Sequence, residues 1–339
     1  MKWGVVSMVE RATGPAERPA VEERVRRDWG LELPESIFRF WTFLGSLDPA
    51  GQSAFRDLDM SPMGVLDLFP DASLAPRDGI DVRVHGRYYR DPPEFLTFLH
   101  GGSDGLHHGL WFDDGRTCRG VASYYNNDGG EIDTCARTPL ETVRATLEHV
   151  WRDLDDDPDG YGDDVGARLT RLGGLRDAVT AFETGDRPEV GHAYSSTYGR
   201  AFEPVRPDRV TTLDGAGALA SGESALGRPA HDAADPYAFG TYMYALFDDA
   251  EALRGSVAEA RRRCAAGDPT EALLLGRDLH WASRGDPAVE DSAHELLVSA
   301  YRALDRPALA AIAEAHHRHR SLAQVDVLDM RKAEVPRPA

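Results

Sequence analysis

The sequence predicts an α+β protein, with an N-terminal antiparallel sheet and flanking helices packed on a mainly helical C-terminal unit. Three observations predict it. Between residues 81 and 125 short apolar runs follow one another too closely for crossover helices, so their strands must pair antiparallel. Ile37, Phe40, Trp41, Leu44 and Leu47 recur at helical spacing just before them. Stretches 270–282, 289–304 and 307–320 read as successive helices with short loops, which favours antiparallel helix packing.

Taken in order, residues 1–30 carry Pro15, Pro19 and many charges, and are expected to form a flexible arm. An α+β domain is expected over 31–154. Pro34 suits the first turn of its opening helix, where a missing N–H has no partner in any case. The segment 81–89 alternates with period two, as a half-buried strand should, and 94–99, 109–112 and 120–125 supply further strands. Asn126-Asn127-Asp128-Gly129-Gly130 is turn chemistry, because these residues tolerate positive φ. Thr138 caps a helix over 139–154. Repelling aspartates with Pro158 and Gly160 then mark an acidic linker over 155–165. A calcium loop is the sharper reading of those aspartates, but the spaced ligands and closing glutamate are missing. A mainly helical domain follows over 166–330, with helices near 163–182 and 236–264, and a frayed tail over 331–339.

The 339 residues carry a formal charge of −19, and the cations are nearly all arginine. A nucleic-acid binder needs clustered cations to displace counterions, so this balance argues against such a partner. The arginine, alanine, glycine and proline usage suggests a high-GC, bacterial genome. No apolar run reaches the length of a membrane helix, and the charged start is too short for a secretory signal. A soluble, cytoplasmic chain without membrane contact is expected. The three cysteines, Cys118, Cys135 and Cys264, lack Cys-x-x-Cys spacing and are expected as reduced thiols.

No phosphate-binding glycine loop, serine-hydrolase elbow or zinc-protease motif is present. His316, His317 and His319 resemble a metal cluster, but 316 and 317 point about 100° apart on a helix. A solvated last turn is expected there and no metal. His107 and His108 precede an apolar strand without an evident carboxylate, and are expected on the surface. Arg277 and His280 share a helix face beside Asp278, which either orients His280 or pairs an arginine in a structural network.

Arg87-Tyr88-Tyr89-Arg90-Asp91-Pro92-Pro93-Glu94-Phe95-Leu96-Thr97-Phe98 is the most distinctive stretch. It resembles the Tyr-rich, Asp-Pro-Pro-Glu-Phe segment of the histone PARylation factor family, eukaryotic proteins with bacterial relatives. In the same order follow a Leu33-Pro34-Glu35 helix with Phe38, Phe40 and Trp41, the pattern from His107 to Asp113, and a tail of Gly276-Arg277-Asp278-Leu279-His280, Glu295-Leu296-Leu297, Tyr301 and Arg320-Ser321. The likeness spans roughly 33–322 and is most specific in its first half. It implies an accessory factor rather than a stand-alone enzyme. Such a factor binds an ADP-ribosyltransferase of the poly(ADP-ribose) polymerase type and completes a shared active site with a carboxylate that deprotonates a serine acceptor. It implies no cofactor of its own, the NAD being bound by the partner. Arg228 matches the family's supporting arginine. An ungapped reading puts the acidic pair at Ala265 and Ala266, so Asp268 and Glu271 are the nearest candidate bases. Arg228, Asp278 and His280 are the candidate partner-binding residues.

The first half also resembles, more loosely, the SUKH fold of bacterial immunity proteins, which implies an alternative function as a toxin-neutralising or protein-binding module. A stand-alone transferase or hydrolase is disfavoured, since no His-Tyr-Glu constellation or nicotinamide-binding pattern is present.

Overall fold

A computed structural model describes residues 17–157, 164–183, 209–220, 228–229 and 237–329. Most of the expected linker and the whole of the expected tail 331–339 lie outside these residues.

The first element corrects an expectation. Residues Arg18–Trp29, assigned to the flexible arm, form helix α1. Pro19 sits in its first turn, and Val21, Val25 and Trp29 recur every fourth residue on one buried face. Gly30 closes it in the left-handed region at φ 73°, donating its N–H to the Arg26 carbonyl. A side chain there would also meet Ala308 Cβ at 2.9 Å. The remaining part of the arm, residues 1–16, lies outside the described residues.

Helix α2, Glu35–Ser46, buries Ile37, Phe38, Phe40, Trp41, Phe43 and Leu44, as its periodicity predicts. A short α3, Pro49–Asp57, follows, with Asp48 accepting the Gly51 N–H at 2.7 Å. The sheet is a five-stranded antiparallel meander in chain order. Its strands are β1 Ser61–Pro62, β2 Phe95–His100, β3 Leu106–Trp111, β4 Gly120–Tyr125 and β5 Gly129–Ala136.

The expected strand at 81–89 is absent. Val82–Val84 is a single 3-10 turn, opened by the Asp81 carboxylate on the Arg83 N–H at 3.0 Å and followed by Gly86 at φ 73°. Side-chain capping and a positive-φ glycine override an alternation only two valines deep.

Both faces of the sheet are covered, so strict alternation is lost in the central strands. Leu96, Phe98, Leu110 and Val121 join α1 and α2 in one buried cluster. Phe95, Trp111, Ala122, Tyr124 and Ile132 pack instead with Leu213, Phe239, Met243 and Trp281.

Helix α4, Pro139–Asp156, is capped by Thr138 and packs on α5, Val165–Phe182. The stretch expected as one helix near 236–264 is two, α6 Ala238–Asp248 and α7 Ala250–Ala265. Asp249 separates them and caps α7 by accepting the N–H groups of Glu251 and Ala252. Helices α8 Thr270–Ala282, α9 Pro287–Ala303 and α10 Pro307–His319 fall where the sequence places them. Thr270 to Trp281 are all buried, so α8 has no solvent face along that run. Gly276 lets α9 approach: a Cβ there would lie 3.0 Å from Leu297 Cγ and 3.1 Å from its backbone nitrogen. Among the described residues no helix is long and apolar enough to cross a membrane.

Two mid-helix glycines should therefore respond oppositely. Gly174→Ala on α5 meets nothing within 4 Å and should stabilise by about 0.5–1 kcal/mol through helix propensity. Gly276→Val should destabilise by about 2–3 kcal/mol through overpacking. Urea unfolding of the two variants measures the sign difference.

Candidate functional site

Helix α8 carries Glu271, Arg277, Asp278 and His280 into the interior, and each charge must find a partner there. Glu271 and Asp278 lie two turns apart on one face, and Arg228 spans them. Its Nη1 donates to Glu271 Oε1 and Oε2 at 2.9 and 3.1 Å, and its Nη2 to Asp278 Oδ2 at 2.7 Å. Asp278 Oδ1 also accepts the Leu213 N–H at 2.7 Å. The arginine and carboxylate implied by the family likeness are thus in direct contact. They are also enclosed, the Arg228, Glu271 and Asp278 side chains being 4%, 1% and 0% exposed.

Burial pushes Asp278 up to about 6 against the opposing pull of Arg228 and the Leu213 N–H. Burial alone would lower Arg228, but Asp278 and Glu271 outweigh it and hold it raised.

The other charges of α8 point into the sheet domain. Arg277 Nε donates to Asp214 Oδ2 at 2.8 Å, and Nη1 lies 3.1 Å from Glu94 Oε1. Tyr301 donates to the same Glu94 oxygen at 2.8 Å. Asp214 sits in a tight loop where Thr212 Oγ1 and the Ala216 N–H donate to its other oxygen. Gly215 holds that loop at φ 81°, with its Cβ position only 2.3 Å from Glu131 Cβ. His280 donates from Nε2 to the Asp91 carbonyl at 3.0 Å. Burial, then Arg320, holds this histidine well below its usual range.

The Asp-Pro-Pro-Glu-Phe stretch is therefore a buried hub. Asp91 Oδ1 meets His107 Nε2 and Tyr124 Oη, each at 2.7 Å, and Oδ2 accepts the Tyr88 N–H at 2.8 Å. Arg87 donates to the carbonyls of Asp91, Pro92 and Phe95.

Several expectations need correction. His107 and His108 are buried rather than on the surface, and His107 has the carboxylate partner, Asp91, that its sequence neighbourhood hides. His316 is buried against His280, with ring centroids 5.2 Å apart, instead of lying in a solvated turn. Of the two readings of Asp278, the structural network holds: it pairs Arg228 and does not orient His280. Arg228, Asp278 and His280, expected to meet a partner, are enclosed because each satisfies an internal group. Asp268 is different. Its side chain is 38% exposed, bound to Arg263 with Nε at 2.8 Å, and Arg263 first of all holds it below the usual carboxylate range. Among the described residues no group of three or more His, Cys, Asp or Glu could hold a metal. Cys118 and Cys264 are free, and the side chain of Cys135 lies outside what is described. Sequence reasoning missed Asp91, Glu94 and Asp214 as counter-charges. The first two stood in the most distinctive stretch, whereas Asp214 showed only turn chemistry.

Arg277→Met should lower stability by about 3–5 kcal/mol, since it leaves Asp214 and Glu94 buried without their cation; denaturant unfolding measures it. The pH dependence has a definite sign. Burial lowers His108 to about 3, below an unfolded value of about 6.5. The unfolded chain therefore binds more protons between these values, and stability present above about pH 6.5 is lost on acidification. Lowering the pH from 7.5 to 5 should cost wild type about 2 kcal/mol more than His108→Gln, as read from melting curves at both pH values.

Residues 20–162 match the family model described as Histone PARylation factor 1. Curated relatives of that name are similar in sequence. The Danio rerio protein is 31% identical over 96 residues, covering 28% of each chain. The Mus musculus protein is 29% identical over 98 residues, again 28% of each chain. The Bos taurus protein is 29% identical over 114 residues, 32% of this chain and 33% of its own. The matched region thus spans about a third or less of each relative's length, and the family-model match ends before Arg228 and α8. The family likeness read from the sequence is borne out in its first half: over residues 20–162 this chain carries the sequence pattern of the histone PARylation factor family.

Proposed function

We propose that this chain is an accessory factor that binds an ADP-ribosyltransferase of the poly(ADP-ribose) polymerase type and helps direct ADP-ribosylation. The family match over residues 20–162 supports the class of function. The observation that carries the site is the 38% exposed Asp268 carboxylate at the opening of α8, three residues before Glu271, which the buried Arg228 fork holds in place. In this reading the partner holds the NAD, and this chain contributes position and charge to a joint site.

The carboxylate available to a partner is Asp268. It flanks the enclosed cluster in sequence, is ionised at neutral pH and is partly exposed. A serine hydroxyl attacks the ribose carbon of NAD as the bond to nicotinamide breaks, and the hydroxyl proton passes to a positioned carboxylate. Asp268 would take that proton once Arg263 shifts aside. Glu271, tied to Arg228 and covered, would fix the loop that presents Asp268. Asp278 anchors the same arginine from the next turns of the helix, while His280 holds the Asp91 carbonyl from the far end.

The test mixes the purified chain with a poly(ADP-ribose) polymerase, NAD and a serine peptide. The chain should increase serine modification, and Asp268→Ala should reduce that increase by about a hundredfold, as loss of a general base does, without loss of fold. Glu271→Gln should weaken association and melt earlier. Equal serine modification with and without the chain, across several such transferases, would sink the reading.

A further inference from the structure

A second surface, apart from the Arg228 cluster, gathers arginine and tyrosine. Arg90, from the turn before β2, lies with Cζ 5.4 Å from the Trp281 ring centroid. Past the end of α8, exposed Arg284 lies 5.3 Å over Tyr244 of α6. Among the described residues neither guanidinium has a carboxylate partner. Nearby Arg320 is committed, donating to the carbonyls of Tyr89 and His280. Its ionisation is lowered chiefly by burial, and the charge of Arg90 adds to that lowering. Glu290 is also at this end of α8, 3.9 Å from Arg320 and accepting the Tyr89 hydroxyl, and neither Arg90 nor Arg284 pairs with it. Tyr244, beneath Arg284, is 37% exposed, and Tyr237 at the N-cap of α6, seven residues earlier and so near the same side, is 79% exposed.

A cation near a helix C-terminus is favoured by the helix dipole, which accounts for Arg284 alone. It accounts neither for Arg90 nor for the exposed Tyr237 and Tyr244 along one side of α6. Stacking uses the face of a guanidinium and leaves its in-plane N–H groups free for acceptors. Arginine and tyrosine are also the residues that dominate the centres of protein interfaces. The ligand class follows from charge. In a chain of net charge −19, two unneutralised arginines are too few to track a phosphate backbone. The largest ring, Trp281, is buried and lies beneath Arg90, so it offers no open platform for a base. Two carboxylates on a short peptide need only two forks, and apolar side chains beside them would rest on the tyrosines.

We infer that this face docks a carboxylate-rich segment of a partner protein, with Arg90 and Arg284 as its forks. The inference does not rest on the accessory reading, because it uses none of the residues at the opening of α8.

The probe is a fluorescently labelled glutamate- and leucine-containing peptide, titrated with the full chain and followed by anisotropy. A lysine-containing peptide of equal length and a single-stranded oligonucleotide serve as comparisons. The acidic peptide should bind and the basic one should not. Arg90→Gln and Arg284→Gln should each weaken binding about fivefold, as expected for charge pairs in contact with solvent, and nearly multiplicatively together. Asp268→Ala should leave peptide binding unchanged, which separates this surface from the proposed joint site. Absence of acidic-peptide binding, or binding that the folded double variant retains in full, overturns the proposal. Preferential binding of the oligonucleotide through the same arginines also overturns it, in favour of a phosphate ligand.

Discussion

The structure depends on one guanidinium. Arg277 is fully buried between Asp214 and Glu94, and so ties α8 to the loop over 212–217 and to the start of β2. Taking these charges out of water costs several kcal/mol per ion, and their attraction repays it only when the geometry is complete. Tyr301, Thr212 and the Ala216 N–H complete it. The consequence is specificity of register. A rotation of α8 by one residue would swing Arg277 and Asp278 away from their partners on opposite sides. An apolar helix in the same groove would have no such penalty, so the charges fix how this helix sits.

That arrangement explains what was legible in the sequence. The antiparallel sheet and the last three helices could be read because burial of apolar side chains leaves a period. Helix α1 was missed because arginines and glutamates fill half of its length, and only three apolar residues mark its buried face. Strand β5 was missed because Gly-Gly-Glu-Ile-Asp-Thr reads as loop, although Ile132 is buried with Tyr124. The burial of His107 is set by Asp91, in a different element, and no spacing rule connects them. The nearness of Arg228 to Glu271 was anticipated only through the family likeness. Their enclosure was not, because burial of a charged pair depends on everything packed around it.

The two candidate carboxylates differ in surroundings rather than chemistry. Glu271 has a guanidinium and no solvent. Asp268 has solvent and a guanidinium that shares it. An acid group can serve another molecule only where that molecule can reach it, which separates an anchoring role from a presenting one. The arginine and tyrosine surface at the opposite end of α8 has the reverse character, with cations unneutralised and rings uncovered. One helix, buried from Thr270 to Trp281, thus has different chemistry at its two ends while its middle holds the fold together.

The span between the partners of Arg277 also bears on how the chain is made. Glu94 leaves the ribosome long before Arg277, the cation that pairs it, and Asp214 also precedes that arginine. Until α8 is synthesised, those carboxylates must stay hydrated or protonated, and the surfaces that later enclose them cannot close. Ion pairing across so many residues gives the native state a large loop-closure entropy to overcome.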